Sequence, residues 1–200
     1  MGNILRVLHR RIRRIVCVFL IAPVLLCSHV YGQQSGVSYE KKRLIVLLDP
    51  NIDPSMETDD AMSLVRLMVY LNMFEIEGLI ATVSHNYPER HIEPILDIID
   101  AYQSVRVNLL VHENGFQDAN SLRSVTALGP AGYGVEYALS ESPVSDGAQL
   151  IINAINEDDD RPIWITVWGD GAVIAQALEY IRINEGQKSV NEAVKKLMIV

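Results

Sequence analysis

Three short segments that read as buried strands constrain this chain more than any other feature: the continuous apolar run in 43–48 (RLIVLL), then 75–84 (EIEGLIATVS) and 162–168 (PIWITVW). Runs of this length, rich in branched residues and lacking polar alternation, fit strands buried on both faces. Between them the period changes. Ala61, Leu64, Val65, Met68 and Leu71 recur at spacings of three and four, predicting a helix over 58–73 with Thr58 as its N-cap. Ile92, Ile95, Leu96, Ile99 and Tyr102 keep the same period behind Pro88, a residue that a first helical turn tolerates. A further helix is predicted at 118–127, Ser145 or Asp146 can cap one running through Ile155, and 172–183 is helical again. Residues 129–134 (GPAGYG) read as a glycine-rich loop. Strand alternating with helix predicts an α/β fold, a parallel sheet with helices on both faces. The last residues, 197–200 (LMIV), look like the opening of another strand, so the chain reads as an incomplete domain.

The first 32 residues have a different character. Arg6, Arg10, Arg11, Arg13 and Arg14 precede an apolar run of 13 at 15–27, and the small residue Gly32 follows Val30 by two. That order predicts a secretory signal peptide at 1–32, a linker at 33–42 and an exported domain at 43–200, periplasmic or extracellular. The run is interrupted by Pro23 and is shorter than the ~20 residues of a spanning helix, so no stable membrane anchor is expected. Leu26 stands where a lipoprotein signal needs a small residue before Cys27, and Arg6 stands where myristoylation needs Ser or Thr. Both cysteines, Cys17 and Cys27, fall in this segment, which leaves the exported part without a disulfide, a thiolate nucleophile or a cysteine-ligated metal. It is also left with twelve basic against twenty-five acidic groups, a net charge of −13. Phosphate binding needs a basic surface, and nucleic acid is therefore excluded as a partner.

Asp49, Asp53, Glu57, Asp59 and Asp60 fall within twelve residues, between the end of the first strand and the first turn of the helix. In parallel α/β sheets, ligands bind outside the carboxyl ends of the strands. A helix N-terminus favours a carboxylate by ~0.3–1 kcal/mol, which accounts for one or two of these acids. Five packed together repel one another unless a cation neutralises them, and such hard oxygen ligands suit Ca²⁺ or Mg²⁺. A solvated turn is the other reading, since Pro50, Pro54, Asn51 and Ser55 are turn formers. An EF-hand is ruled out: Pro54 occupies the position that needs glycine, and a strand rather than a helix precedes the loop.

The segment IVLLDP…TDDAMSLVRLMVYLNMFEIEGLIATVS resembles the start of the nucleoside hydrolase superfamily, and more closely the secreted bacterial nucleoside-hydrolase-like proteins described as cellulose-binding. The likeness continues through SDGAQLIINAINEDDDRPIWITVWGDGAVIAQAL and covers residues 43–200. It implies a nucleoside-hydrolase-like, Rossmann-like fold and a bound Ca²⁺. By the same resemblance Asp49 and Asp60 would be metal ligands, the Trp168 main-chain carbonyl a further ligand, Asp59 the general base that activates water, and Asn86 a sugar-hydroxyl contact. A water activated beside the metal would attack the anomeric carbon through an oxocarbenium-like state. The family usually has a tight Asp-x-Asp-x-Gly-x-Asp-Asp loop. Here nine residues without glycine separate Asp49 from Asp59, and Asp53 could take the role of Asp49. The family also draws a metal aspartate and leaving-group contacts from a C-terminal part that would lie beyond Val200.

Two functions follow as expectations. One is calcium-dependent hydrolysis of N-ribosidic or related glycosidic bonds. The other is non-catalytic carbohydrate binding, with Tyr87, Tyr133 and Tyr137 as aromatic candidates and the metal loop as a structural clamp. An inactive fragment is the third reading. The expected partner is a small-molecule nucleoside or carbohydrate, and oligomerisation is left open.

Overall fold

The computed structural model describes residues 40–51, 57–85 and 88–200. The signal-peptide expectation, Asp53, Asn86 and Tyr87 lie outside the described residues. Five strands, β1 (Lys42–Leu48), β2 (Phe74–Ala81), β3 (Thr126–Leu128), β4 (Ile163–Val167) and β5 (Leu197–Ile199), form one sheet in the order β3-β2-β1-β4-β5. Every pairing is parallel. The helices between them are α1 (Asp59–Met68), α2 (Glu93–His112), α3 (Ala119–Ser124), α4 (Val135–Ser140), α5 (Asp146–Asn156), α6 (Ala172–Glu185) and α7 (Gln187–Lys196). The expected α/β architecture is what the chain adopts.

The strand order has a physical consequence for the helices. From β1 the chain steps outward to β2 and β3, then returns across the sheet to β4 and steps outward the other way to β5. Right-handed crossovers in opposite directions place their helices on opposite faces. Side chains of β1 alternate accordingly. Leu44, Val46 and Leu48 pack on one face with Leu64 of α1, Ile95 and Ile99 of α2 and Leu122 of α3. Ile45 and Leu47 pack on the other with Ile151 and Ile155 of α5, Val173 and Ile181 of α6 and Ala193 of α7. These side chains are almost fully removed from water, each leucine, isoleucine or valine worth about 1.5–3 kcal/mol of burial.

Several element boundaries differ from those the sequence predicts. The first helix stops at Met68, and a 3₁₀ turn, Leu71–Met73, leads into β2. Thr58 is the N-cap residue but makes no side-chain cap bond; its hydroxyl donates to Met62 Sδ at 3.6 Å. Pro88 precedes α2 rather than opening it. Pro94 occupies the first turn instead, where a missing N–H leaves no intrahelical bond unmade. The helix predicted at 118–127 ends at Ser124, because Thr126–Leu128 peel away to pair with β2. The segment 197–199 does pair, in parallel, with β4.

The register of β1 on β2 shifts between Leu44 and Ile45, whose partners are Ile76 and Gly78. Glu77 is the extra residue of this bulge, and it reaches the fully buried Arg43. Arg43 Nη2 also donates to Glu157 Oε2 (2.8 Å) and to the Ala154 carbonyl (2.9 Å) at the end of α5. Beside it Arg161 joins Glu75 (2.7 Å), Asp159 (2.6 Å) and the Lys41 carbonyl (2.9 Å). The amino end of the sheet is thereby closed by a compensated ion network.

Candidate functional site

With the order β3-β2-β1-β4-β5, the topological switch lies between β1 and β4, where crossovers leave in opposite directions, the place at which open α/β sheets bind their ligands. Asp49 follows the last residue of β1 and Trp168 follows the last residue of β4. Backbone bonds hold these ends together: Trp168 N–H donates to Leu47 O at 2.8 Å, and Thr82 N–H to Leu48 O at 2.7 Å. The approach is closest at Gly169. A Cβ there would lie 3.1 Å from Asp49 N and well inside the contact distance of Thr82 Oγ1, so only glycine fits without displacement.

Asp49 and Asp60 meet. The Asp49 N–H donates to Asp60 Oδ2 at 2.8 Å, which ties the end of β1 to the first turn of α1 across the acidic loop. Asp60 is 7% exposed. Burial, a side-chain hydrogen bond to Asp49 and the negative charges of Asp49 and Asp59 together push its carboxyl up to about 7. Asp59, one residue earlier on the helix, is exposed. The Trp168 side chain is half-buried and packs against the first-face core, while its peptide group sits beside the end of β1.

Calcium takes six to eight hard oxygen ligands, and the Asp49–Asp60 pair supplies oxygens of that chemistry in a place where the unneutralised charge is unfavourable. In donor type and charge the residues fit the ion. They do not complete a cage: among the described residues no three His, Cys, Asp or Glu side chains converge closely enough to hold a metal. Asp53 of the same loop and the predicted sugar contact Asn86 are outside the described residues.

Sequence reasoning missed two components of this edge. The first is Asp170. Its N–H donates to Val83 O (3.1 Å) and to Thr82 Oγ1 (3.1 Å), one carboxylate oxygen accepts from Ala172 N–H (2.9 Å) at the start of α6, and the other accepts from Gly134 N–H (2.8 Å). An aspartate two residues before an apolar helical period is a capping signal readable in WGDGAVIAQAL. The second component is the course of the loop 129–134. It leaves the edge strand β3, yet Gly134 is bound to Asp170 at the end of β4, and Tyr133 makes an edge contact with His85, beyond the end of β2 (ring centroids 5.7 Å, 65°). Asp170 is itself bonded to Val83 and Thr82, so the loop meets the place where the ends of β2 and β4 come together. Gly134 has φ +91°, a conformation reserved for glycine, where the loop turns into α4.

A concavity of about 570 Å³ lies elsewhere, against the amino half of β2 where the three-residue β3 no longer covers it. Its carboxylates Glu75, Glu77 and Glu157 are already engaged by arginines, and the open Ile76 N–H donates to Gln117 Oε1 at 2.8 Å. That concavity belongs to the folding network. The acids without an arginine partner, Asp49, Asp59 and Asp60, are at the carboxyl edge.

The comparisons agree with this topology. A solved structure, a nucleoside hydrolase-related hypothetical protein from Saccharophagus degradans that is associated with carbohydrate metabolism, superposes with a TM-score of 0.73 at 32% sequence identity. The match covers 80% of this chain and 38% of that one, so the chain spans about two-fifths of its length. No curated protein matches the chain. A family model described as cellulose-binding Sde182, nucleoside hydrolase-like domain, matches residues 43–200, from the first residue of the buried β1 run through β5. With the topological switch point and its strand-end aspartate in that matched region, the chain belongs to the cellulose-binding Sde182, nucleoside hydrolase-like family.

Proposed function

We propose that the carboxyl-edge crevice binds a carbohydrate and that the chain serves an exported protein acting on plant or cell-wall polysaccharide. The observation that carries this reading is the meeting of Asp49 and Asp60 at the carboxyl edge beside the β1/β4 switch point, with the loop 129–134 bound to Asp170 at the end of β4. Carboxylates accept hydrogen bonds from sugar hydroxyls, and aromatic faces pack against the C–H faces of sugar rings. The family description and the carbohydrate association of the Saccharophagus degradans protein support the same ligand class.

Asp49, Asp60 and the Trp168 carbonyl would hold a calcium ion in this crevice. When bound, the ion supplies positive charge that neutralises the acid pair and fixes the loop. The chain's own contribution is to orient the pair: Asp60 is locked to the Asp49 N–H, and Gly169 lets the β4 end approach. A second reading, hydrolysis of an N-ribosidic or related glycosidic bond, is favoured by one observation. Asp59 is exposed beside the buried Asp60, free to accept a proton from water.

Titration calorimetry of the chain with cellohexaose, and separately with inosine and uridine, tests the proposal, with and without Ca²⁺. Heat with the glucan oligosaccharide, strengthened by Ca²⁺ and without release of sugar or base, is the expected result. Turnover of a nucleoside that Asp59→Asn abolishes would replace binding with hydrolysis. Absence of heat with every saccharide would overturn the carbohydrate reading. Calcium should also raise the melting temperature by mass action, and Asp60→Asn should reduce that rise.

A further inference from the structure

We infer that Asp170 is a positioning residue for the carboxyl-edge site: its carboxylate fastens the loop 129–134 to the strand ends beside Asp49, and ligand binding there depends on that fastening. This rests on the carbohydrate reading above and names the residue that keeps the site's surroundings in place.

Four elements meet at Asp170. It follows the end of β4, and its N–H donates to Val83 O and to Thr82 Oγ1, both just past β2. Its Oδ1 accepts from Ala172 N–H at the start of α6 (2.9 Å), and its Oδ2 accepts from Gly134 N–H in the loop (2.8 Å). Both carboxylate oxygens are thereby taken by backbone donors, and among the described residues no cation pairs with them. A carboxylate can serve two such donors at once. A neutral amide cannot, because it has one acceptor oxygen and turns an NH₂ group toward the second N–H.

The bond to Gly134 matters because of how the rest of the loop is held. Gly129 is tied at both of its peptide groups, its N–H to Ala81 O at 2.8 Å and its carbonyl to Arg90. Ala131 N–H donates to Glu141 Oε2 at 3.0 Å, but Glu141 ends α4 in the same connection, so that bond closes the loop on itself. Past Gly129, the loop's hydrogen bond to the strand ends is the one Asp170 accepts.

Asp170 is also continuous with the acid pair. Its neighbour Gly169 donates to Leu47 O at 3.2 Å, and a Cβ on Gly169 would lie 3.1 Å from Asp49 N. The hydrogen on that nitrogen goes to Asp60 Oδ2. Loop, Asp170, Gly169, Asp49 and Asp60 thus form one contiguous series of contacts, through which a displacement at one end reaches the other. Binding groups must be held to within about 0.5 Å of their productive positions, so such a displacement weakens binding.

The chain, Asp170→Asn, Asp170→Ser and Asp118→Asn are compared by amide hydrogen exchange and by calorimetric titration with cellohexaose in the presence of Ca²⁺. The serine hydroxyl can still accept from Ala172 N–H but is too short for Gly134, so this variant keeps the helix start and releases the loop. Asp118 accepts from Asn120 and Ser121 N–H at the start of α3, beside Gln117 on the amino half of β2. Asp118→Asn therefore makes the same chemical change at a helix start remote from the edge. The expected result for both Asp170 variants is about tenfold faster exchange at 131–135 and about tenfold weaker cellohexaose binding, with neither change in Asp118→Asn. Faster loop exchange with parental affinity would overturn the positioning role and leave the carbohydrate reading standing. Unchanged loop exchange would overturn the fastening itself. Equal loss of affinity in Asp118→Asn would also overturn it, because a general loss of stability would then be responsible. Failure of the parent chain to bind cellohexaose would overturn the carbohydrate reading and the positioning role together.

Discussion

At the amino end of the sheet Glu75, Glu77, Glu157 and Asp159 are gathered by Arg43 and Arg161, and each acid faces a guanidinium within 3.0 Å. At the carboxyl end, Asp49, Asp59 and Asp60 are gathered by the chain itself, and among the described residues no ion pair joins any of them to a base. The same five strands thus carry two acid clusters under opposite conditions. The first is compensated and holds Asp159 down to about 2; the second leaves Asp60 raised to about 7. Charge left uncompensated inside a folded chain lowers stability, so its retention at the switch-point edge points to a ligand that supplies what the fold omits.

The comparison is most exposed to failure at Arg43. Replacing it with Met keeps an apolar stem but leaves Glu77 as a nearly buried carboxylate without a partner. Removing one member of a buried pair costs about 3–5 kcal/mol, read as a fall in the urea midpoint. Adding Glu77→Met should recover much of that loss, since the remaining partner Glu157 is exposed. Saccharide affinity per folded molecule should be unchanged. A folded Arg43→Met variant that loses binding would mean the two ends are not separate.

Gly169→Ala is the corresponding lesion at the other end. The added methyl meets Thr82 Oγ1 and Asp49 N, so the β4 end must retreat from β1. Overpacking of this kind costs about 1–3 kcal/mol, measurable by thermal unfolding, and it should weaken saccharide binding as well. Stability lost with binding intact would separate the β1/β4 approach from the site.

Asp60→Asn should move stability in the opposite direction. The amide can still accept from Asp49 N–H, while the buried negative charge beside Asp49 and Asp59 is gone. In metal-free buffer at pH 8 a gain of about 1 kcal/mol is expected, within the range of relieved like-charge contacts. A loss instead would mean that a cation within the chain already neutralises Asp60.

These substitutions also mark what a sequence can disclose. The segments forming β1, β2 and β4 are legible because strands covered on both faces are mostly apolar on both. β3 is not, since three residues carry no period and its place depends on pairing with Leu79–Ala81. α7 escaped notice because it buries only Ala193, leaving most of its sequence polar. Arg43 looks like a polar strand end. Its burial depends on Glu157, 114 residues away. The Asp49–Asp60 pair was legible for a topological reason: a strand end and the next helix start share one edge of a parallel sheet. The bond from this edge to the loop was not, because nothing in GPAGYG tells that Gly134 meets Asp170, 36 residues away.

The smallest expected effect concerns acid. Asp159 accepts from Arg161 Nη2 at 2.6 Å and from the Arg161 N–H at 2.8 Å, and these bonds lower its carboxyl from 3.8 to about 2. The unfolded chain therefore binds the proton more readily between those values, and stability rises with pH through that window. The contribution is fully present above about pH 4 and is lost as pH falls through about 2. Glu77 in the same network runs the other way: burial outweighs Arg43 and raises its carboxyl, so its protonation is easier in the folded chain and partly offsets the loss. Asp159→Asn removes one of these opposed contributions and keeps the other. Urea midpoints taken from pH 5 to pH 2 should fall less steeply for Asp159→Asn than for the parent, with the curves diverging only below pH 4. Parallel curves would show that Arg161 holds Asp159 by geometry without favouring its charge, and the amino end would then be less different from the carboxyl end than its distances imply.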